Sequence, residues 1–300
     1  MLKKYINMMK PRITLLVIVT CYLGYYLGVR NNDINSYMAD WDSIEPFLHL
    51  VIGTFLTSSG SAILNQYIER DLDKLMDRTN SRPLPQKEVD HRIALFLGLG
   101  FSLFGVLYLF QFLEHGLITS IIAFITILSY VCIYTPLKVK TKWNTIIGAF
   151  PGALPPLGGW VAATGEIDVT GIVLFSILFF WQMPHFYSLA IIYKDDYSKA
   201  GFKMFPSVSN NLDSTYFQII FFTIALIIST ISIFFVHNTF QNTPNVNGFV
   251  YLLGSGLLGV VFLIYSALVI IKKSNKRVKN IFLFSIIYLP LLMVLIRLVF

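Results

Sequence analysis

The chain is 300 residues long, with 55% apolar and only 13% charged residues and a mean hydropathy of +0.67, which places it among polytopic membrane proteins. Its net charge of +7 and pI near 9.3 do not point to nucleic acid. The basic residues are spread over segments that flank apolar runs and form no separate soluble patch, so membrane topology and anionic lipid account for them.

Apolar runs long enough to cross a bilayer, about 20 residues each, fall at approximately 13–29, 46–68, 92–112, 117–136, 143–163, 169–193, 216–236, 248–271 and 279–298. The expectation is an all-α integral membrane protein of about nine helices, with residues 1–300 forming a single domain and no long linker dividing it. The first run follows Lys3, Lys4, Lys10 and Arg12 without a clear small-residue cleavage site, and reads as a retained helix. All Lys and Arg except Arg30 and Arg297 lie in the N-terminal segment or in the loops around 69–92, 137–143, 194–215 and 272–279. By the positive-inside rule these segments face the cytoplasm. The opposite loops carry Asp33, Asp40, Asp42, Glu45, Glu114, Glu166 and Asp168 instead. Cys21 and Cys132 lie within spans and are expected to form no disulfide.

The second span ends in NQYIERDLDKLMDRTNSRPLP, residues 65–85. Asn65, Glu69, Asp73 and Asp77 recur every four residues, so on a helix they follow one slowly drifting face. Oxygen donors without Cys or His suit a hard cation, and magnesium fits better than zinc. The interleaved Arg70, Lys74, Arg78 and Arg82 read equally as i, i+4 partners on a solvated helix. A second acidic pair, Asp195 and Asp196, ends the sixth span beside Lys194, Tyr197 and Lys199, and Lys138, Lys140 and Lys142 occupy a third inner loop. Metal-binding carboxylates together with cations describe a polyphosphate site. Neither nucleotide-binding glycine pattern occurs, which argues against nucleotide hydrolysis. A diphosphate carried on a lipid fits the charged inner mouth and the greasy interior.

The fifth span carries Gly148, Pro151, Gly152, Pro155, Pro156, Gly158 and Gly159. Such a run serves close helix packing or lines a cavity, and the two uses are compatible. In the sixth span Pro184 and His185 lie about eight residues, or roughly 12 Å of rise, from the inner end.

Three stretches together resemble the UbiA-type intramembrane prenyltransferases. Residues 65–85 match the first Asp-rich motif of that family, with Glu69 standing where Asp is more usual. YTPLKVKTKWNTIIGAFPGALPPLGGW (134–160), WQMPHFYSLAIIYKDDYSKAGFKMFP (181–206) and the early KPR at Lys10–Arg12 look like the branch of the family that farnesylates haem. The second motif of the wider family has Asp residues four apart, whereas Asp195 and Asp196 are adjacent and flanked by Tyr193 and Tyr197.

The resemblance implies helices around a central cavity, farnesyl diphosphate and haem B as substrates, and Mg2+ as cofactor. It implies metal ligands at Asn65, Glu69, Asp73 and Asp196, with Asp195 a further catalytic candidate. Arg70, Lys74, Arg78, Arg82, Lys138 and Lys199 become candidates for the diphosphate. His185 is either a haem contact or a core histidine. A haem A synthase or an oxidase assembly factor is the expected protein partner, and the plasma membrane of a bacterium the expected location, with the N-terminus and active site cytoplasmic. The competing readings are prenylation of a quinone precursor, secondary transport, and a non-catalytic role in oxidase assembly.

Overall fold

The computed structural model describes residues 2–32, 41–208, 211–236 and 246–299. Asp33, Asp40 and His237 lie outside these residues, and the side chain of Asp42 is likewise not described. Among the described residues, nine helices are long and apolar enough to cross a membrane. Their bounds follow the hydropathy closely, because a polypeptide in lipid must satisfy its backbone internally and helix ends fall where polar side chains begin.

A short helix, α1 (Leu2–Met8), precedes α2 (Pro11–Asn32), α3 (Trp41–Asp73) and α4 (His91–Phe112). The fourth span is composite: α5 (Gly116–Leu128), a π-helical segment (Ser129–Tyr134) and α6 (Thr135–Leu137). Then come α7 (Asn144–Thr164), α8 (Val169–Ile192), the short α9 (Lys194–Lys199) and α10 (Phe205–Val208), and α11 (Asp213–Val236), α12 (Val246–Ile271) and α13 (Asn275–Val299). Local chemistry sets several ends. Asp90 and Asp168 cap α4 and α8 by accepting the Arg92 and Gly171 amide protons at 2.7 and 2.9 Å. Gly165, at φ 77°, closes α7 in the left-handed conformation that glycine adopts without steric cost.

Two helices form the hub. The α7 span is the most buried of the nine, packing on α2, α5 and α8, while α8 also touches α11 and α13. The prolines of α7 do not break it, and its glycines serve close packing. A Cβ on Gly159 would sit 1.9 Å from the Cys21 carbonyl oxygen, and one on Gly24 would sit 1.9 Å from that of Pro156, so α2 and α7 meet backbone to backbone. Gln182 of α8 reaches into the same helix, donating to the Ala149 carbonyl at 3.2 Å against the open side of Gly152.

The loop after α3 folds back compactly. Thr79 donates to the Asp73 carbonyl at 2.9 Å, and Leu84 and Val89 pack with Met8, Ile63 and Ala94. Met76 joins Tyr197, Phe202 and Met204, which ties this loop to α9 and brings the two acidic motifs to one end of the bundle.

Gly159→Ala is expected to cost about 1–3 kcal/mol of overpacking and to lower the unfolding temperature in detergent. Gly256→Ala, where a Cβ meets nothing within 4 Å, is expected to leave that temperature unchanged or raise it slightly. Equal transitions for the two variants would contradict the close α2–α7 approach.

Candidate active site

Asn65, Glu69 and Asp73 occupy successive turns at the end of α3 and are 1%, 4% and 0% exposed. Burying two carboxylates requires compensation, and each polar group of the row has its own cation. Lys10 donates to Asn65 Oδ1 at 2.7 Å, Lys138 to Glu69 Oε1 at 2.6 Å, and Arg82 to Asp73 Oδ2 at 2.7 Å. These cations come from three segments: the turn before α2, the end of the fourth span, and the loop after α3. Asn65 also donates through Nδ2 to Thr135 Oγ1 at 3.2 Å.

The electrostatics separate the two lysines. Burial pulls the Lys10 ammonium down to about 7, and the Arg82 and Lys138 charges push the same way against Glu69 and Asp73. Lys10 is therefore a charged donor below about pH 7 and a neutral amine above it. Burial is the largest single influence on Lys138 and acts to lower it, but the Glu69 carboxylate bonded to it, together with Tyr134 and Tyr130, outweighs this and holds the ammonium protonated well above the usual lysine range.

The helix ends at Asp73, so Asp77 leaves the row. It lies on the surface, 3.0 Å from Lys199. Arg70, on the outer side of α3, donates to the Tyr67 carbonyl, and Lys74, just past the helix end, pairs with Asp71 at 2.8 Å. They are not brought to the row. Of the second motif, Asp195 is exposed, whereas Asp196 turns toward the loop after α3 and accepts the Arg78 amide at 3.4 Å. Arg78 lies over the Tyr193 and Tyr197 rings, at 5.1 and 5.3 Å, and donates to the Tyr197 hydroxyl. Among the sequence candidates for phosphate, Arg82 and Lys138 thus reach the acid row, Arg78 and Lys199 edge the second motif, and Arg70 and Lys74 stand apart.

In the sequence Lys10 carries no mark of a site, since a lysine before the first span resembles any topological charge. Its place beside Pro11 in the KPR triplet was the available signal. His185 faces α13. Its Nδ1 is 2.8 Å from Ser285 Oγ, and its ring stacks on Trp181 at 5.2 Å and leans on Phe282 at 4.9 Å. One ring nitrogen is thereby engaged in packing between helices.

A hard cation fits this donor set. Asp73 Oδ1 is buried without a hydrogen-bond partner, and the remaining donors of the row are oxygens. Among the described residues no three His, Cys, Asp or Glu are grouped tightly enough to hold a metal alone. An ion here would rest on Asn65, Glu69 and Asp73 together with oxygens of a bound diphosphate.

Among the described residues, nine membrane-length helices thus carry a buried, cation-lined acid row at one end of the bundle. The profile of the UbiA prenyltransferase family matches residues 15–287, and the chain belongs to that family. Within it, the chain is similar to proteins named protoheme IX farnesyltransferase. That of Solibacter usitatus is 38% identical over 293 residues, covering 97% of this chain and 96% of the relative; that of Rickettsia felis is 36% identical over 291 residues, covering 96% and 88%. Among solved structures, a digeranylgeranylglyceryl phosphate synthase superposes with a TM-score of 0.78 at 15% identity, covering 99% of this chain and 98% of that one. A UbiA homologue from Archaeoglobus fulgidus, bound to GPP and Mg2+, gives 0.63 at 15% identity, covering 98% and 99%. These structural likenesses show the fold.

Lys138→Met is expected to destabilise the protein by about 3–5 kcal/mol, because Glu69 is left buried and uncompensated. The double variant Lys138→Met/Glu69→Gln is expected to regain most of that loss in equilibrium unfolding in mixed micelles. Additive losses would show that the two side chains do not act as a pair.

Proposed function

We propose that this protein transfers the farnesyl group of farnesyl diphosphate to a vinyl group of haem B, with addition of water, giving haem O and diphosphate. The observation that carries the reading is the buried row of Asn65, Glu69 and Asp73 with Lys10, Lys138 and Arg82 directed at it. The names of the relatives supply the acceptor and the length of the prenyl chain.

Bound at the acid row, Mg2+ would neutralise diphosphate charge and make it a better leaving group. The chain's own residues do the rest. Asn65, Glu69 and Asp73 would hold that ion, and Lys138 and Arg82, already within the same cluster, would turn their donors to the departing phosphate oxygens. Asp196 and Arg78, joined through the Arg78 amide, are the further carboxylate and cation that this reading assigns to the same end of the bundle. The C1–oxygen bond of farnesyl diphosphate breaks with its electron pair going to the diphosphate. The vinyl π electrons of haem then form the new carbon–carbon bond, and water adds to the inner vinyl carbon with loss of a proton. Apolar helices keep bulk water from the allylic carbon until the bond has formed.

The positive-inside rule supports a plasma-membrane enzyme whose N-terminus and active site face the cytoplasm. Four of the five basic segments are joined by bonds or packing at the end of the bundle that carries the acid row, including Lys203 to the Lys138 carbonyl at 2.8 Å.

The test supplies haem B, farnesyl diphosphate and Mg2+ to membranes containing the protein and follows haem by mass spectrometry. A species heavier by farnesyl plus water is expected. Asp73→Ala is expected to reduce it by about 10²-fold or more, and EDTA to abolish it reversibly. Unchanged haem alongside a prenylated quinone precursor would move the protein to another acceptor. No prenyl transfer to either would remove the reading.

A further inference from the structure

The fourth span departs from α-helical geometry where it reaches the acid row. Ser129–Tyr134 is a π-helical segment of six residues, and the Thr135 amide bonds the Tyr130 carbonyl five residues earlier. The Thr135 hydroxyl reaches the same carbonyl at 2.8 Å. Four residues make slightly more than one turn of α-helix but slightly less than one turn of the wider π segment. The two offsets cancel, so Tyr130, Tyr134 and Lys138 stand in line. In an uninterrupted α-helix the drift would accumulate and carry Lys138 away from the face of Tyr130. Such insertions occur mostly as single turns inside α-helices, and frequently at functional sites.

The two tyrosines differ in what they are free to do. Tyr134 is committed to Lys138, whose Nζ lies 4.6 Å from its ring centroid, and Gly148 of α7 makes room for it, since a Cβ there would be 2.4 Å from the ring. Tyr134 is a positioning residue. Tyr130, with its ring centroid 5.7 Å from that of Tyr134, is half-buried. Its neighbouring charges are Lys138, Glu69, Arg82 and Asp73, the same four groups that form the two ion pairs of the row.

We propose that Tyr130 is a catalytic residue whose aromatic face meets the allylic carbon of the prenyl diphosphate as the leaving group departs. The proposal rests on the farnesyl-transfer reading above. The departing diphosphate already has its partners in Lys138 and Arg82. The carbon left behind has none among the charged groups, and a carboxylate beside it would capture it. An aryl face attracts a cation without adding to it. When the C1–oxygen bond breaks and its electron pair leaves with the diphosphate, the Tyr130 ring is unchanged and the charge on C1 waits for the haem vinyl π electrons.

The test compares Tyr130→Leu with Tyr130→Phe in the full chain, first establishing that the wild type forms farnesylated haem. Tyr130→Leu is expected to lower kcat roughly 30-fold, the factor corresponding to a desolvated cation–π contact of about 2 kcal/mol, with KM for farnesyl diphosphate within about threefold. Binding of the unreactive farnesyl thiodiphosphate with Mg2+, measured by calorimetry, is expected to persist, which also shows that the variant is folded. Tyr130→Phe, which keeps the ring, is expected to recover most of the lost kcat. Equal losses in Phe and Leu would assign the effect to the hydroxyl and overturn the proposal, as would lost analogue binding or a change confined to KM. A wild type that makes no farnesylated haem would remove the underlying reading and this proposal with it.

Discussion

Two carboxylates and an amide buried side by side at the end of a membrane helix constrain everything around them. An uncompensated charge there would cost several kcal/mol, so Glu69 and Asp73 oblige distant segments to come in. Lys138 brings the end of the fourth span, Arg82 folds the loop after α3 back on itself, and Lys10 anchors the turn between α1 and α2. The apolar contacts of Met8, Leu84 and Val89 then seal that loop and α1 against the bundle. This end of the bundle takes its shape from charge compensation first and hydrophobic packing second.

The hub of α7 and α8 solves a different problem. Lipid gives no hydrophobic drive for helices to associate, so close packing and buried hydrogen bonds must do it. Gly24 and Gly159 let two backbones touch, and Gln182 supplies an interhelical amide bond. The Pro-rich stretch could be read from sequence as packing surface or as cavity wall, and the glycine contacts place the packing face against α2.

Spans and acid row were legible because each rests on a local period: hydropathy over about 20 residues, and acidic residues four apart on a helix. What was illegible depends on where helices stop and on partners far away in sequence. Asp77 continues the four-residue spacing but lies past the end of α3, so extrapolating the period fails by one step. Arg70, Lys74, Arg78 and Arg82 look alike in the sequence, yet only the last turns back to Asp73, because successive turns between Met76 and Arg82 fold the chain back. The π-helical segment leaves no periodic trace in SYVCIY, and Ser285, which engages His185, is 100 residues away.

The order in which the charges of the acid row appear on the ribosome adds a consequence for biogenesis. Lys10 has already emerged when Asn65 is made, and Arg82 follows Asp73 by nine residues. The cation of Glu69, however, lies 69 residues downstream, beyond two further spans. While α4 and α5 are threading into the bilayer, the nascent chain therefore carries Glu69 without the lysine that pairs with it in the folded protein. That carboxylate must stay at the aqueous interface until the fourth span delivers Lys138. The finished site is assembled late, by a residue that closes it from behind.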